Sequence, residues 1–115
     1  MFLSGQEEPA NKEGGTINHF MMLAKSTGVE HRVRFLAPMT PEQLAELYCV
    51  ADAVLLPSHR ETFGKVLVEG GLAGKPLATT SACGSAGLIV QDGVKWVRHR
   101  TGDISQLARA MTQPL

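Results

Sequence analysis

The 115-residue chain carries no net charge, because 11 basic and 11 acidic residues cancel. That balance excludes the basic stripe on which nucleic-acid or anionic-membrane binding depends, so any anion must be held by local geometry. Cysteine is scarce. Cys49 and Cys83 have neither the number nor the spacing of a disulfide framework or a zinc site, and both read as small buried hydrophobes. His19, His31 and His99 show no mutual spacing that suggests ligation, and no metal site is expected. No apolar run approaches the roughly 20 residues of a membrane span, and the N-terminus lacks the basic flank and apolar stretch of a signal peptide. A cytoplasmic location is the default expectation. Internal repeats and low-complexity segments are also missing.

What remains is one domain's worth of alternating apolar segments, long enough to bury a core without staples. "MFLS" reads as a strand beginning at the first residue, and "GQEEPANKEGG" after it as a loop. Thr16 is an N-cap for a helix whose apolar face takes Ile17, Phe20, Met21 and Leu23 to Ala24, with Gly28 as its stop. "RVRFLAP" suits a strand. In "TPEQLAELYCVAD", Thr40 caps, Pro41 takes the first helical position, and Leu44, Leu47, Tyr48 and Ala51 share one face. "AVLLPS" and "PLATT" are continuous apolar runs of the kind found in buried parallel strands, and "VKWV" is a weaker third. Helical windows fall at about Gly64 to Ala73 and from Asp103 to Met111. Strands alternating with helices predict a three-layer α/β fold with a Rossmann-like parallel sheet.

The chemistry concentrates in "SHRETFGKVLVEGGLAGKP", Ser58 to Pro76, where Glu61 falls in a loop and Glu69 on the following helix. In open α/β sheets, ligands collect beyond the carboxyl ends of the strands. A helix starting near Gly64 leaves its first N–H groups unpaired, and together with the helix dipole they favour an anion such as a diphosphate. Gly64 lets that group approach the backbone. Carboxylates would repel a phosphate, so Glu61 and Glu69 suit neutral partners that donate hydrogen bonds, above all vicinal hydroxyls. Glu69 could reach a ribose diol and Glu61 the hydroxyls of a sugar at the other end of a diphosphate. Two glutamates eight positions apart are, on their own, most simply solvated charge.

Their surroundings change the weight of that reading. "ADAVLLPSHRETFGKVLVEGGLAGKPLATT" resembles the nucleotide-sugar-binding segment of the retaining GT-B glycosyltransferases, the group-1 family: an apolar strand ending in Pro57 and Ser58, then Glu61, the turn Phe63 and Gly64, Glu69, and Gly74 and Pro76. The upstream "VRFLAPMTPEQLAELYCVADAVLLPS" is similar to the family's preceding helix and strand.

The resemblance implies that the whole chain, residues 1–115, is a single, partial C-terminal donor-binding domain, an incomplete half of a GT-B enzyme. It also implies a UDP- or GDP-sugar as donor and no resident cofactor. Glu61 then holds the donor sugar as the catalytic glutamate. Glu69 holds the ribose, and Phe63, Gly64, Lys65 and Val66 form the diphosphate turn, with Leu36 and Ala37 lining the base.

Three departures accompany it. The family's Glu-Ala-Met-Ala stands here as "EGGLA", and Gly70 and Gly71 each cost about 1 kcal/mol against Ala inside a helix, which predicts a short or frayed one. Gly87 stands where the family often has another Glu. The family's diphosphate-neutralising Arg and Lys pair, with its strand–loop–helix unit and the N-terminal acceptor domain, has no counterpart. The missing central strand predicts closure between Phe2–Ser4 and Val54–Leu56 or pairing supplied by another chain, hence a homodimer through the incomplete sheet. An alternative is a catalytically inactive binding or oligomerisation module that keeps only the fold. His59, Arg60, Trp96 and the loop "CGSAG" are most simply surface, core and loop residues.

Overall fold

The computed structural model of the chain describes residues 1–4, 17–83, 96–99 and 102–112. Thr16, Gly87 and the segment "GQEEPANKEGG", named above as cap and loop residues, lie outside them. The described residues fall into two compact units, Met1–Pro41 and Glu42–Leu115.

In the first unit, strand β1 (Phe2–Ser4) pairs in parallel with β2 (Arg34–Leu36), in the register Phe2 with Arg34 to Ser4 with Leu36. The helix between them in sequence is α1 (Ile17–Ser26), followed by a single 3-10 turn, Glu30–Arg32, that the sequence pattern did not announce. Helix α1 ends as expected at Gly28, whose φ of 73° is left-handed and suited to glycine. Its apolar face departs from expectation. Ala24 is buried, while Phe20, Met21, Met22 and Leu23 are exposed. Two paired strands of three residues offer too little surface to cover four large side chains.

The second unit opens with α2 (Pro41–Val50) and continues β3 (Val54–Leu56), α3 (Lys65–Leu72), β4 (Leu77–Thr80), β5 (Trp96–His99) and α4 (Ile104–Thr112). The sheet is parallel with β4 in the middle of the order β3, β4, β5. All four β4 residues are buried, as a central strand covered on both faces requires. Tyr48, Val54, Leu67, Leu77 and Cys83 form the core cluster, with Leu44 and Leu56 packed against it. The predicted face of α2 is the one that turns inward, since Leu44, Leu47 and Ala51 are half-buried and Tyr48 is buried. Cys49, one position on, points outward and is exposed, which corrects the expectation that both cysteines are buried. A step of 100° along a helix is enough to carry it off the inward face.

The glycines of α3 predict a short or frayed helix, and at eight residues, Lys65–Leu72, it is short. It runs through Gly70 and Gly71 to Leu72, because Gly70 packs directly on the sheet. A Cβ built there would lie 2.9 Å from a Val54 methyl and 3.1 Å from a Leu77 methyl. The glycine lets the helix sit close enough to bury Leu67, so tertiary contact offsets the weak helical propensity. At the far end of the chain, the Asp103 carboxylate accepts from the Gln106 N–H at 2.8 Å, the cap the sequence predicts for α4.

Candidate functional site

The loop from Pro57 to Gly64 leaves the carboxyl end of β3 and enters α3. Its path is set from the neighbouring strand. The Thr79 hydroxyl donates to the Leu56 carbonyl at 3.1 Å, and the Thr80 hydroxyl donates to the Ser58 carbonyl at 2.6 Å. Thr80 also accepts from the Ala82 N–H at 3.3 Å. Both threonines are buried, so these bonds satisfy polar groups that would otherwise be costly. Further along, Glu61 and Cys83 form a parallel β-bridge, and the Cys83 thiol donates to the Phe63 carbonyl at 3.5 Å. The loop is therefore tied to β4 and its continuation at three points.

Gly64 turns the chain into the helix with φ 78° and ψ 56°, in the left-handed region where an L side chain is strained. Glycine has no side chain with which to cap. Glu61 supplies the acceptor from three residues upstream, where its Oε1 accepts from the Gly64 N–H at 3.1 Å and from the Phe63 N–H at 3.4 Å. The Gly64 N–H, expected at a diphosphate, is thus engaged within its own loop. The Leu67 N–H donates to the Gly64 carbonyl at 2.9 Å, while two N–H groups at the start of α3, those of Lys65 and Val66, meet no acceptor among the described residues. Phe63 lies beside them with an exposed ring.

Glu69 lies on the second turn of α3. Its Oε2 accepts from the Tyr48 hydroxyl at 3.0 Å, and its Oε1 is 3.4 Å from the Lys65 ammonium. The two contacts differ in weight. Lys65 is 84% exposed and Glu69 28%, so that ion pair is solvent-screened and weak. Tyr48 is 7% exposed, and burial, the hydrogen bond to Glu69 and the Glu69 charge together raise its pKa to about 12. The phenol therefore stays a proton donor to the carboxylate throughout the neutral range. Sequence reasoning places Tyr48 in the core and misses this bond. The available signal is the residue type, since a tyrosine on an inward helical face brings a hydroxyl that needs a partner.

Arg60 and His59 are exposed, and the His59 ring lies near Gly102 in the turn before α4. Leu36 ends β2 and Ala37 follows it, half-buried and exposed respectively, in the first unit. Their expected role at a base rests on the resemblance alone. Among the described residues no cluster of three or more His, Cys, Asp or Glu side chains could hold a metal ion, and no helix is long and apolar enough to cross a membrane.

Two solved structures share the fold of the chain. A sucrose-phosphate synthase from Thermosynechococcus elongatus superposes with a TM-score of 0.77 over 96% of the chain at 24% identity, which speaks for the fold alone. WaaG, a glycosyltransferase involved in lipopolysaccharide biosynthesis, matches with a TM-score of 0.73 over 97% of the chain at 30% identity. The fold is that of an incomplete Rossmann-like domain of the GT-B glycosyltransferases, with parallel strands. The family model for glycosyl transferases group 1 matches residues 13–115, and the chain belongs to that family. Among its relatives, the D-inositol 3-phosphate glycosyltransferase of Corynebacterium diphtheriae is 41% identical over 100 residues, 87% of this chain. That of Actinosynnema mirum is 40% identical over 98 residues. The chain spans 23% of the length of each of these two relatives.

Proposed function

We propose that the chain is the donor-binding part of a retaining glycosyltransferase that moves a hexose from a nucleoside-diphosphate sugar to a glycan or lipid-glycan acceptor. The observation that carries the reading is the start of α3, where a left-handed Gly64 opens a helix whose first two N–H groups meet no acceptor among the described residues. A diphosphate docks there on the Lys65 and Val66 amides. Glu69, further along the helix, accepts hydrogen bonds from the ribose diol. Glu61, ahead of it, exchanges its loop amides for hydroxyls of the donor sugar and acts as the catalytic glutamate. A UDP- or GDP-sugar fits this order, with the acceptor domain supplied by sequence outside this chain and the work done in the cytoplasm.

Thermal unfolding with UDP, GDP and their sugars tests the reading. A ligand at a hundred times its Kd stabilises the folded state by about 2.7 kcal/mol, and that gain is expected to vanish in Glu69→Ala. Indifference of the wild-type chain to every nucleotide would overturn it.

One observation favours a second reading. Glu61 satisfies the Gly64 N–H from within its own loop. That suits a module which keeps the fold and has lost turnover, self-associating through its incomplete sheet. Light scattering tests the self-association of the second, because a monodisperse monomer at micromolar concentration rules it out.

A further inference from the structure

The Tyr48 hydroxyl reaches across 21 positions of sequence to donate to Glu69 Oε2 at 3.0 Å. It comes from α2, and the ring that carries it belongs to the core cluster with Val54, Leu67 and Leu77. The donor is thus anchored in packed interior while its acceptor is part-exposed on α3. The other contact of Glu69 is unlike it, since the Lys65 ammonium sits 3.4 Å from Oε1 on a side chain that is almost wholly in solvent. Of the two carboxylate oxygens, one is fixed by buried structure and the other faces a cation that an incoming group can displace.

We propose that Tyr48 is a positioning residue for ribose recognition, its hydroxyl holding the Glu69 carboxylate in the orientation that accepts both hydroxyls of a nucleotide's diol. This rests on the donor-binding reading given above and adds to it a residue that touches no ligand. A carboxylate offers about four lone-pair sites, so one bond from Tyr48 leaves room for two from a diol. Pre-orientation removes the cost of ordering the side chain at the moment of binding, and that benefit applies to the diol alone. The tyrosine therefore controls discrimination between ribo- and deoxyribonucleotides more than overall affinity. Its raised pKa accords with the same geometry, because an ionised phenol could no longer donate to Glu69.

The experiment compares wild type with Tyr48→Phe, which keeps the ring and deletes the hydroxyl. Binding of UDP against dUDP, and of GDP against dGDP, is measured by calorimetry on both. Wild type is expected to prefer the ribonucleotide, and the variant to lose about five- to tenfold of that preference, the worth of roughly one ordinary hydrogen bond. A variant that binds with an unchanged ribo-to-deoxy ratio overturns the positioning role while the donor-binding reading stands. A wild type that binds neither nucleotide overturns both. Should Tyr48→Phe fail to fold, Glu69→Gln serves, because Tyr48 is the sole tyrosine of the chain and its ionisation is read directly by ultraviolet absorbance. The expected result is that Tyr48 ionises at lower pH in Glu69→Gln than in wild type. Identical titration curves would show that the two side chains are not coupled and sink the proposal.

Discussion

The two units of the chain use their apolar residues in opposite ways. In Glu42–Leu115 a helix is pressed onto a three-stranded sheet until Leu67 is 1% exposed, and buried threonine hydroxyls then hold the loop that enters that helix. In Met1–Pro41 the helix shows Phe20, Met21, Met22 and Leu23 to the surface, and Met22 is 71% exposed. Apolar content is similar in kind, so composition does not explain the contrast. What differs is the close approach that Gly70 permits and the wider sheet that receives it. A site needing fixed carboxylates gains more from the first arrangement, and both candidate glutamates belong to that unit.

The largest expected effect tests that contrast directly. Leu67→Ala removes a fully buried side chain from the core and is expected to cost about 2–5 kcal/mol, whereas Met22→Ala on the exposed helix stays within about 0.5 kcal/mol. Urea unfolding of the two variants measures both. Equal losses would mean that α1 is covered in solution and that the two regions are more alike than their surfaces suggest.

Next comes the alkaline limb. The folded pKa of Tyr48 is about 12 against 10.0 for a free tyrosine, so above pH 10 the unfolded chain releases its proton first and stability falls as pH rises. The contribution is fully present below pH 10 and is lost as pH rises toward 12. A pKa raised that far corresponds to a loss on the order of 2–3 kcal/mol. Chemical denaturation from about pH 9 upward is expected to show that slope in wild type and not in Tyr48→Phe.

Smaller again is Gly70→Ala. The added methyl would meet a Val54 methyl at 2.9 Å, closer than such atoms pack, so either Val54 or α3 must shift. Overpacking of this kind costs about 1–3 kcal/mol, outweighing the roughly 1 kcal/mol of helical propensity that alanine brings. Pairing it with Val54→Ala, which opens the space, is expected to recover part of the loss. A gain in stability from Gly70→Ala alone would show that the close approach is not what holds the unit together.

Much of this is legible in the chain. Strands and helices fall where apolar runs and periodic faces place them, and Gly64, Gly28 and Asp103 mark helix boundaries through backbone conformation and capping, which are local properties. The bonds that shape the site are less visible because they link distant positions. Nothing in "PLATT" says that Thr79 and Thr80 hold the carbonyls of Leu56 and Ser58, since β-branched residues suit a strand whatever their hydroxyls do. Gly70 reads as a defect of α3 because propensity is summed along a helix, while the gain from packing lies across it. Glu61 reads as a partner for hydroxyls, and its bond to the Gly64 amide depends on the loop's three-dimensional turn.

Lys65→Ala carries the smallest expected effect on stability and the sharpest bearing on which contacts matter at the site. The Lys65–Glu69 pair is exposed at its cationic end and runs Lys before Glu, the less favourable order along a helix. A cation in the first turn also opposes the helix dipole. These terms nearly cancel, so the substitution is expected to change unfolding free energy by less than about 0.5 kcal/mol, with little dependence on salt. Glu69 keeps its bond from Tyr48 in the variant. If the helix start receives a diphosphate, the same change is expected to weaken UDP several-fold and leave uridine nearly untouched, because a charge at that end interacts with the phosphates alone. Equal weakening of both ligands would instead place Lys65 among the groups that orient Glu69, and would shift weight from the buried tyrosine to the surface cation.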